Sequence, residues 1–230
     1  MLFLNNPYLK EFESNIIKIN DNQITLGETV FYAKSGGQPG DIGYLNDNEN
    51  DISIIDTIYD EEKNIIHITE EDIKFKINQK IRGKINWDTR YKHMRMHSAL
   101  HLLCSVIPLD VTGGQIGFDK SRLDFNAQDY KIEKEKIEDK INNLVKENYE
   151  ISYQWITNDE LEKQPELVRT MSVQPPKIKG KIRLVKIGNL DLQPCGGTHV
   201  KSTSEIGKIE IGKIENKGKM NRRVNLLING

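Results

Sequence analysis

The chain has 230 residues, of which 37% are hydrophobic and 29% charged, and its formal net charge is −1 at pH 7. This composition is typical of a globular protein in solution, and no apolar run approaches the about 20 residues that span a bilayer. The N-terminus lacks the pattern of a secretory signal peptide, and two cysteines are too few for a disulfide framework, so a reducing cytoplasm is expected.

Residues 1–85 contain short strand-like segments separated by turn residues, without a helical period. They predict a small all-β domain with a barrel-like form. Within it, the glycine-rich stretch SGGQPGDIG occupies residues 35–43. Its glycines are typical of turns. It is not a P-loop, because no Lys-Ser/Thr pair follows the glycines.

Residues 86–230 predict an α+β domain. Asp88 is a good N-cap for a helix that runs to Pro108, and strand-like pieces follow around VTGGQIGF and SRLDFN. A second helix is expected between residues 128 and 150, and Thr157 with Glu160 has the spacing of a capping box before a short third helix. Strands are expected from Lys181 onward. The second helix has an apolar stripe of Ile137, Ile141, Leu144 and Val145.

Three histidines, His93, His97 and His101, recur every four residues on the first helix. Residues four apart are about 6 Å apart along a helix axis and share a face, whereas residues eight apart are about 12 Å apart. At most one adjacent pair can therefore hold one metal ion. The neighbours of His93 are polar and those of His101 are apolar, which favours His97 and His101.

The segment PCGGTH provides a second pair, Cys195 and His199, on a turn that its two glycines indicate. Three imidazoles and one thiolate suit tetrahedral Zn²⁺. The general base of H-E-x-x-H proteases and the second cysteine of nucleobase deaminases are both missing. The other cysteine, Cys104, is expected to be a buried residue of the first helix and not a metal ligand.

Basic residues are concentrated between Pro175 and Arg223, where twelve basic and four acidic residues give a net charge of +8. Such a segment is either a solvated protein face or a surface that contacts phosphates. Charge alone does not separate these two interpretations.

The chain resembles the editing domain of alanyl-tRNA synthetases in several motifs taken together. These are RMHSALHLL, GGQIG with SRLDF, and CGGTHV followed by EIGKIEI and NRRV. They also resemble its free-standing relatives, the AlaX trans-editing proteins, and FYAKSGGQPGDIG resembles the glycine-rich stretch of the preceding β domain in this family. The resemblance covers essentially the whole chain. If the chain is complete, it looks like the medium-sized AlaX class; a synthetase fragment is the alternative.

This resemblance implies a trans-editing hydrolase of mischarged tRNA(Ala), chiefly seryl-tRNA(Ala) with glycyl-tRNA(Ala) as a further candidate, that spares alanyl-tRNA(Ala). It implies Zn²⁺ as cofactor, a small β domain over 1–85 and an editing domain over 86–230. No membrane association and no obligate protein partner are expected. The metal ligands that it implies are His97, His101, Cys195 and His199. His93 is then expected to be a solvent-side or tRNA-side neighbour.

The residues of the reaction itself are less defined by the resemblance. His199 and Gln115 are the nearest catalytic candidates. Gln115 matches a family residue that is placed near the site. His199 is a candidate because four protein ligands would close the zinc site to water unless this histidine is displaced. The alternative is an ion that only organises the pocket. Arg122 and Asp124 belong to a neighbouring motif. The candidate substrate-binding residues are Gln115, Thr112, Thr198, Gly36 and Gly37.

Two other functions remain open at this point. One is a zinc-stabilised RNA-binding module without turnover, which the basic segment fits equally well. The other is editing of a different mischarged tRNA, such as seryl-tRNA(Thr), because the paired H-x-x-x-H and C-x-x-x-H motifs also occur in threonyl-tRNA synthetases.

Overall fold

A computed structural model of the chain describes residues 1–128, 130–168, 177–178 and 180–229. These residues form a mixed α/β structure whose strand pairs are antiparallel. The structure divides into two compact units, Met1–Lys92 and His93–Gly230. The sequence-predicted boundary at residue 85 precedes the first helix, whereas this division falls within it.

Three α-helices lie in the described part of the chain: α1 (Trp87–Val106), α2 (Lys134–Lys146) and α3 (Asn158–Glu162). The strands of the first unit are β1 (Glu11–Asn20), β2 (Gln23–Leu26), β3 (Gly43–Asn46), β4 (Asp51–Ile54), β5 (Asp56–Tyr59), β6 (Ile65–Ile68) and β7 (Lys80–Ile85). The strands of the second unit are β8 (Val111–Gln115), β9 (Lys120–Asn126), β10 (Ile151–Thr157), β11 (Lys177–Ile178), β12 (Lys181–Ile187), β13 (Asp191–Pro194), β14 (Lys208–Lys217) and β15 (Asn221–Asn229).

The first unit contains one seven-stranded sheet in the order β4-β3-β7-β1-β2-β6-β5. The predicted barrel-like form is not confirmed: within residues 1–92, all of them described, β4 and β5 are edge strands that no ladder joins. Only Ile55 separates these two strands in the chain, which is too short a connection for a hairpin between them. The core of this unit contains Ile16 and Leu45 from the apolar sides of strands and Phe31 from the stretch between β2 and β3, all fully buried.

The glycine-rich stretch forms a tight turn, after which its backbone passes very close to β5 at Gly40. Ser35 and Gln38 exchange backbone hydrogen bonds of 3.2 and 2.8 Å, and Gly36 and Gly37 between them have φ values of 53° and 82°, which favour glycine. A Cβ on Gly40 would lie 2.1 Å from the Thr57 carbonyl oxygen. The turns that the sequence predicts here are therefore present.

Asp41 fixes the end of this stretch through a buried ion pair with Arg90, in the first turns of α1. Arg90 Nε donates to Asp41 Oδ1 at 2.9 Å, and Arg90 Nη2 contacts Asp41 Oδ2 and the carbonyl oxygen of Val30. The Tyr32 backbone N–H donates to Asp41 Oδ2 at 2.6 Å. Because the Arg90 side chain is fully buried, the pair holds the glycine-rich stretch rigidly within the first unit.

The second unit contains two four-stranded sheets. One has the order β14-β15-β9-β8, and in the other β12 pairs with β10 on one side and with β11 and β13 on the other. Helix α2 covers the β14 edge of the first of these sheets. The Asn142 side chain exchanges hydrogen bonds of 2.8 and 2.9 Å with the Ile209 backbone, and Glu138 Oε2 accepts from Ile211 N at 2.8 Å. This edge strand is thus protected from pairing with another chain.

The predicted helices are confirmed, with one shorter than its pattern. The expected N-cap is wrong, because α1 begins at Trp87 and Asp88 lies within its first turn, whereas Asn86 Oδ1 accepts from Thr89 N at 3.1 Å. Ile137, Ile141 and Val145 of α2 are buried, and Leu144 is half-buried. The helix begins only at Lys134, because the preceding Glu133 has extended backbone angles. Helix α3 has the expected capping box between Thr157 and Glu160. Among the described residues, no helix is long and apolar enough to cross a membrane.

Candidate metal centre

Helix α1 supplies the first half of the site. The helix begins at Trp87, and its period of 3.6 residues per turn places His97 and His101 about one turn apart on the same face. Both imidazoles are buried, with 8% and 6% of their surface exposed, and their ring centroids are 5.3 Å apart. Two imidazoles on one buried helix face are well placed to bind the same metal ion.

The turn that follows β13 supplies the second half. Its backbone leaves the sheet at Pro194, so that Cys195 and His199 point to the same side. Cys195 Sγ lies 3.4 Å from His199 Nε2 and 3.4 Å from His97 Nε2. The His199 ring is fully buried, and its centroid is 4.2 Å from that of His97 and 4.6 Å from that of His101.

The fold thus brings His97, His101, Cys195 and His199 together, with one donor atom of each within 4.8 Å of the others. Typical Zn–S and Zn–N bonds in a tetrahedron would separate the donors by about 3.4–3.6 Å. The two Sγ–Nε2 distances of 3.4 Å fit this geometry. These four side chains, which the sequence predicts as a set, could hold a metal ion.

A carboxylate behind His101 orients its ring. His101 Nδ1 lies 2.9 Å from Asp191 Oδ2, and Gln193 Nε2 donates to the same oxygen at 2.8 Å. Because a carboxylate oxygen accepts, Nδ1 carries the proton and Nε2 faces the other donors. A carboxylate that fixes the tautomer in this way is a common support of metal-bound histidine.

Ser98 performs the same task for His199. Its Oγ lies 3.2 Å from His199 Nδ1 and accepts from the Val200 backbone N–H at 3.2 Å. These contacts tie α1 to the Cys195–His199 turn. They also direct the Nε2 atom of His199 toward Cys195 Sγ, which lies 3.4 Å away.

The electrostatics of the cluster favour a thiolate beside a neutral imidazole. Burial alone would raise the pKa of the Cys195 thiol, but the electrostatic influence of the imidazoles of His97 and His199 holds that pKa well below its usual value. Burial and the charge of His97 lower the pKa of His199 well below its usual value. Burial opposes protonation of His101, but its hydrogen bonds to Asp191 and Cys195 raise the pKa to about 10.

His93 corrects one expectation from the sequence. It is 4% exposed, so it is a buried residue and not a solvent-side neighbour, because α1 is covered beyond its first turns. It is absent from the four-residue cluster, as the sequence predicts. Cys104 is buried, in agreement with the prediction that it packs.

Four further residues singled out from the sequence lie on β8 and β9 of the second unit. Gln115 ends β8, is exposed, and accepts a hydrogen bond from Arg122 Nε at 3.4 Å. Asp124 receives Arg122 Nη1 at 2.7 Å and Arg223 Nε at 2.7 Å, so the RLDF motif forms a cross-strand ion-pair network. Thr112 Oγ1 lies 3.1 Å from the Asp124 carbonyl oxygen. Roles of Gln115 and Thr112 in substrate binding stay predictions.

Thr198 is fully buried beside His199, whereas Gly36 and Gly37 belong to the first unit, where they are exposed. Their roles in substrate binding also stay predictions. The basic segment is not one uniform surface. Arg183 is fully buried within it, Lys201 and Lys219 are exposed, and Lys179 lies outside the described residues.

Sequence reasoning missed Asp191, Gln193, Ser98 and Arg183. Asp191 and Gln193 alternate along β13 just before Cys195, which indicates that both face the same side of the strand. That pattern could have marked them as neighbours of the site. Nothing in the sequence connects them with His101, about ninety residues away.

Comparison with known proteins identifies the relatives of this chain. Residues 182–225 match the family described as "Threonyl and Alanyl tRNA synthetase second additional domain", and residues 3–89 match "tRNA synthetases class II (A)". The alanyl-tRNA editing protein AlaX-M of Methanosarcina acetivorans is 37% identical over 97% of this chain and 96% of its own length. The AlaX-M protein of Saccharolobus solfataricus is 34% identical over 97% of this chain and 96% of its own length.

The alanine–tRNA ligase of Pyrococcus abyssi is 32% identical over 93% of this chain but only 24% of the ligase. The similarity to the AlaX-M proteins, in contrast, extends over nearly the full length of both partners. The chain therefore belongs to the AlaX-M family of alanyl-tRNA editing proteins.

Proposed function

We propose that this chain is an aminoacyl-tRNA deacylase that hydrolyses mischarged tRNA(Ala). Its substrates are chiefly seryl-tRNA(Ala), with glycyl-tRNA(Ala) as a second substrate, and it spares alanyl-tRNA(Ala). One observation carries the proposal: a chain of the AlaX-M family brings His97, His101, Cys195 and His199 into one cluster of metal donors, in which the three histidines are buried and the cysteine is half-buried. The bond that breaks is the ester between the amino acid and the terminal ribose.

We further propose that the four donors hold Zn²⁺, since the nitrogen and sulfur donor set and the 3.4 Å separations fit this ion. A bound Zn²⁺ supplies Lewis acidity and, where a coordination position is open, lowers the pKa of a bound water to about 7. The burial of His199 and its contact with Ser98 favour a histidine that stays in place. These contacts support an ion that chiefly organises the pocket.

Selection of serine requires attraction, because alanine is the smaller side chain and no pocket that admits serine can exclude it by size. A donor or acceptor that pairs with the serine hydroxyl is left unsatisfied when alanine binds, and this difference discriminates between them. We propose Gln115 for this role or for binding the ester carbonyl. Its amide oxygen accepts from Arg122, which leaves its amide N–H groups directed elsewhere as donors.

A deacylation panel tests the proposal. Purified zinc-loaded protein is incubated with seryl-, glycyl- and alanyl-tRNA(Ala) and with seryl-tRNA(Thr), and the surviving ester is measured over time. Rapid loss of serine from tRNA(Ala), with alanine retained, is expected. Survival of seryl-tRNA(Ala) would refute the activity, and tRNA binding without turnover would instead support the RNA-binding module. Preferential loss of serine from tRNA(Thr) would assign the chain to the other synthetase specificity.

The two cysteines offer a matched pair of variants for the metal. Cys195→Ala removes the only sulfur donor of the cluster and is expected to lose both bound zinc and deacylation. Cys104→Ala removes a similarly small buried thiol outside the cluster and is expected to retain both. Zinc content by atomic absorption and circular dichroism, measured together on both variants, separate loss of metal from loss of the protein fold.

A further inference from the structure

Arg183 lies near the middle of β12 and is fully buried. As a basic residue between Pro175 and Arg223 it belongs to the segment that the sequence marks as a phosphate-contacting candidate, but burial removes it from any such surface. A buried guanidinium needs acceptors that offset its lost hydration. Its known acceptors identify what it does.

Two of those acceptors belong to the metal-binding turn. Arg183 Nη1 donates to the carbonyl oxygen of Cys195 at 2.9 Å and to that of Gly197 at 2.9 Å. The Cys195 backbone N–H in turn donates to the Arg183 carbonyl oxygen at 3.0 Å. The turn is therefore attached to β12 through both the backbone and the side chain of one residue.

A ring on the neighbouring strand restrains the guanidinium itself. Arg183 Cζ lies 3.8 Å from the centroid of the Tyr153 ring on β10, which is the geometry of a stacked cation–π contact. The planar group is thus held in one orientation, and the two carbonyl oxygens must converge on it. This curl of the backbone brings Gly197 N within 3.4 Å of Cys195 Sγ.

We propose that Arg183 is a positioning residue that shapes the Cys195–His199 turn for metal binding. This inference rests on the proposed function, since it concerns the same metal centre. Lysine cannot replace arginine here: its ammonium has neither the planar fork nor the flat face that stacks on an aromatic ring. The charge would be kept, but the shape of the turn would not.

Cobalt(II) provides a readout that is independent of activity, because a cysteine thiolate bound to Co²⁺ gives a charge-transfer absorption in the near ultraviolet. Metal-free wild type, Arg183→Lys and Arg183→Gln are titrated with CoCl₂, and circular dichroism and thermal unfolding confirm that each is folded. We expect both variants to bind Co²⁺ about 10–100-fold more weakly, with a weaker or shifted thiolate band. Lys181→Gln, an exposed cation two residues away on β12, is expected to match wild type.

Tyr153→Leu adds a milder perturbation that leaves both carbonyl hydrogen bonds possible, so it serves if the Arg183 variants do not fold. We expect a several-fold loss of Co²⁺ affinity. Wild-type affinity and spectrum in folded Arg183→Lys, or in Tyr153→Leu where that variant must decide, would overturn the proposal while leaving the metal centre intact. Absence of Co²⁺ binding by wild type would overturn the metal centre and this inference together.

Discussion

Acidification is expected to destabilise the first unit through His67 on β6. This imidazole is fully buried, and its Nδ1 lies 3.0 Å from the Ile24 carbonyl oxygen, so Nδ1 carries the proton. Its Nε2 lies 3.0 Å from Thr29 Oγ1 and, because Nδ1 carries the proton, accepts the hydroxyl proton of Thr29, whose oxygen accepts from Phe31 N. Protonation of Nε2 would break this chain of hydrogen bonds and bury a charge.

The size of the effect follows from the pKa. Burial lowers the pKa of His67 to about 4, although the hydrogen bond to Ile24 opposes this shift. An unfolded histidine has a pKa of about 6.5, so the unfolded chain binds the proton first as pH falls. The stability is complete above about pH 6.5 and decreases toward pH 4, by about 2 kcal/mol at pH 5 and about 3 kcal/mol in the limit.

Urea unfolding at pH 7.5 and pH 5.0 measures this loss. His67→Asn serves as the comparison, because an asparagine amide can still donate to the Ile24 carbonyl oxygen but does not titrate. The variant is expected to be less stable at pH 7.5 and to lose about 2 kcal/mol less than wild type on acidification, which isolates His67 from other titrating groups. Equal losses in the two proteins would refute the assignment of His67 as a buried neutral group.

Three further predictions concern single buried contacts. Asp41→Asn leaves the buried Arg90 guanidinium without its counter-charge and should lower the free energy of unfolding by about 3–5 kcal/mol in urea titrations. Gly40→Ala places a Cβ 2.1 Å from the Thr57 carbonyl oxygen and should cost about 1–3 kcal/mol by the same assay, whereas Gly27→Ala, with no contact below 3.5 Å, should be tolerated. Asp191→Asn loosens His101 and should weaken Zn²⁺ binding about 10–100-fold in competition with a chelator dye.

Each of these three has an outcome that contradicts it. A loss below about 1 kcal/mol in Asp41→Asn would mean that the ion pair is replaceable by a neutral hydrogen bond. Similar free energies of unfolding of the Gly40 and Gly27 variants would show that the backbone near Thr57 moves away from the added Cβ without loss of stability. Unchanged Zn²⁺ affinity in Asp191→Asn would show that the negative charge of Asp191 is not needed to hold His101 for metal binding.

Much of the fold was predictable because its signals are local. The apolar period of α2, the capping box of Thr157 and Glu160, and the turn glycines Gly36 and Gly37 act within a few residues of themselves. The barrel-like form was not predictable in this way. Closure of a sheet depends on the order and twist of all its strands, and period-two patterns carry no information about it.

The candidate site divides along the same line. Helical spacing and a glycine-bearing turn by themselves determined that His97 with His101, and Cys195 with His199, could each act as a pair, because residues four apart are neighbours in either conformation. Only the tertiary structure decided that the two pairs meet and that Asp191 and Ser98 orient the rings of His101 and His199. The hydrogen bond from Arg183 to the Cys195 carbonyl oxygen is likewise visible only in the tertiary structure. Those contacts join residues up to about a hundred positions apart. They exist because packing of strands and helix brings distant backbone together, and no local pattern encodes that distance.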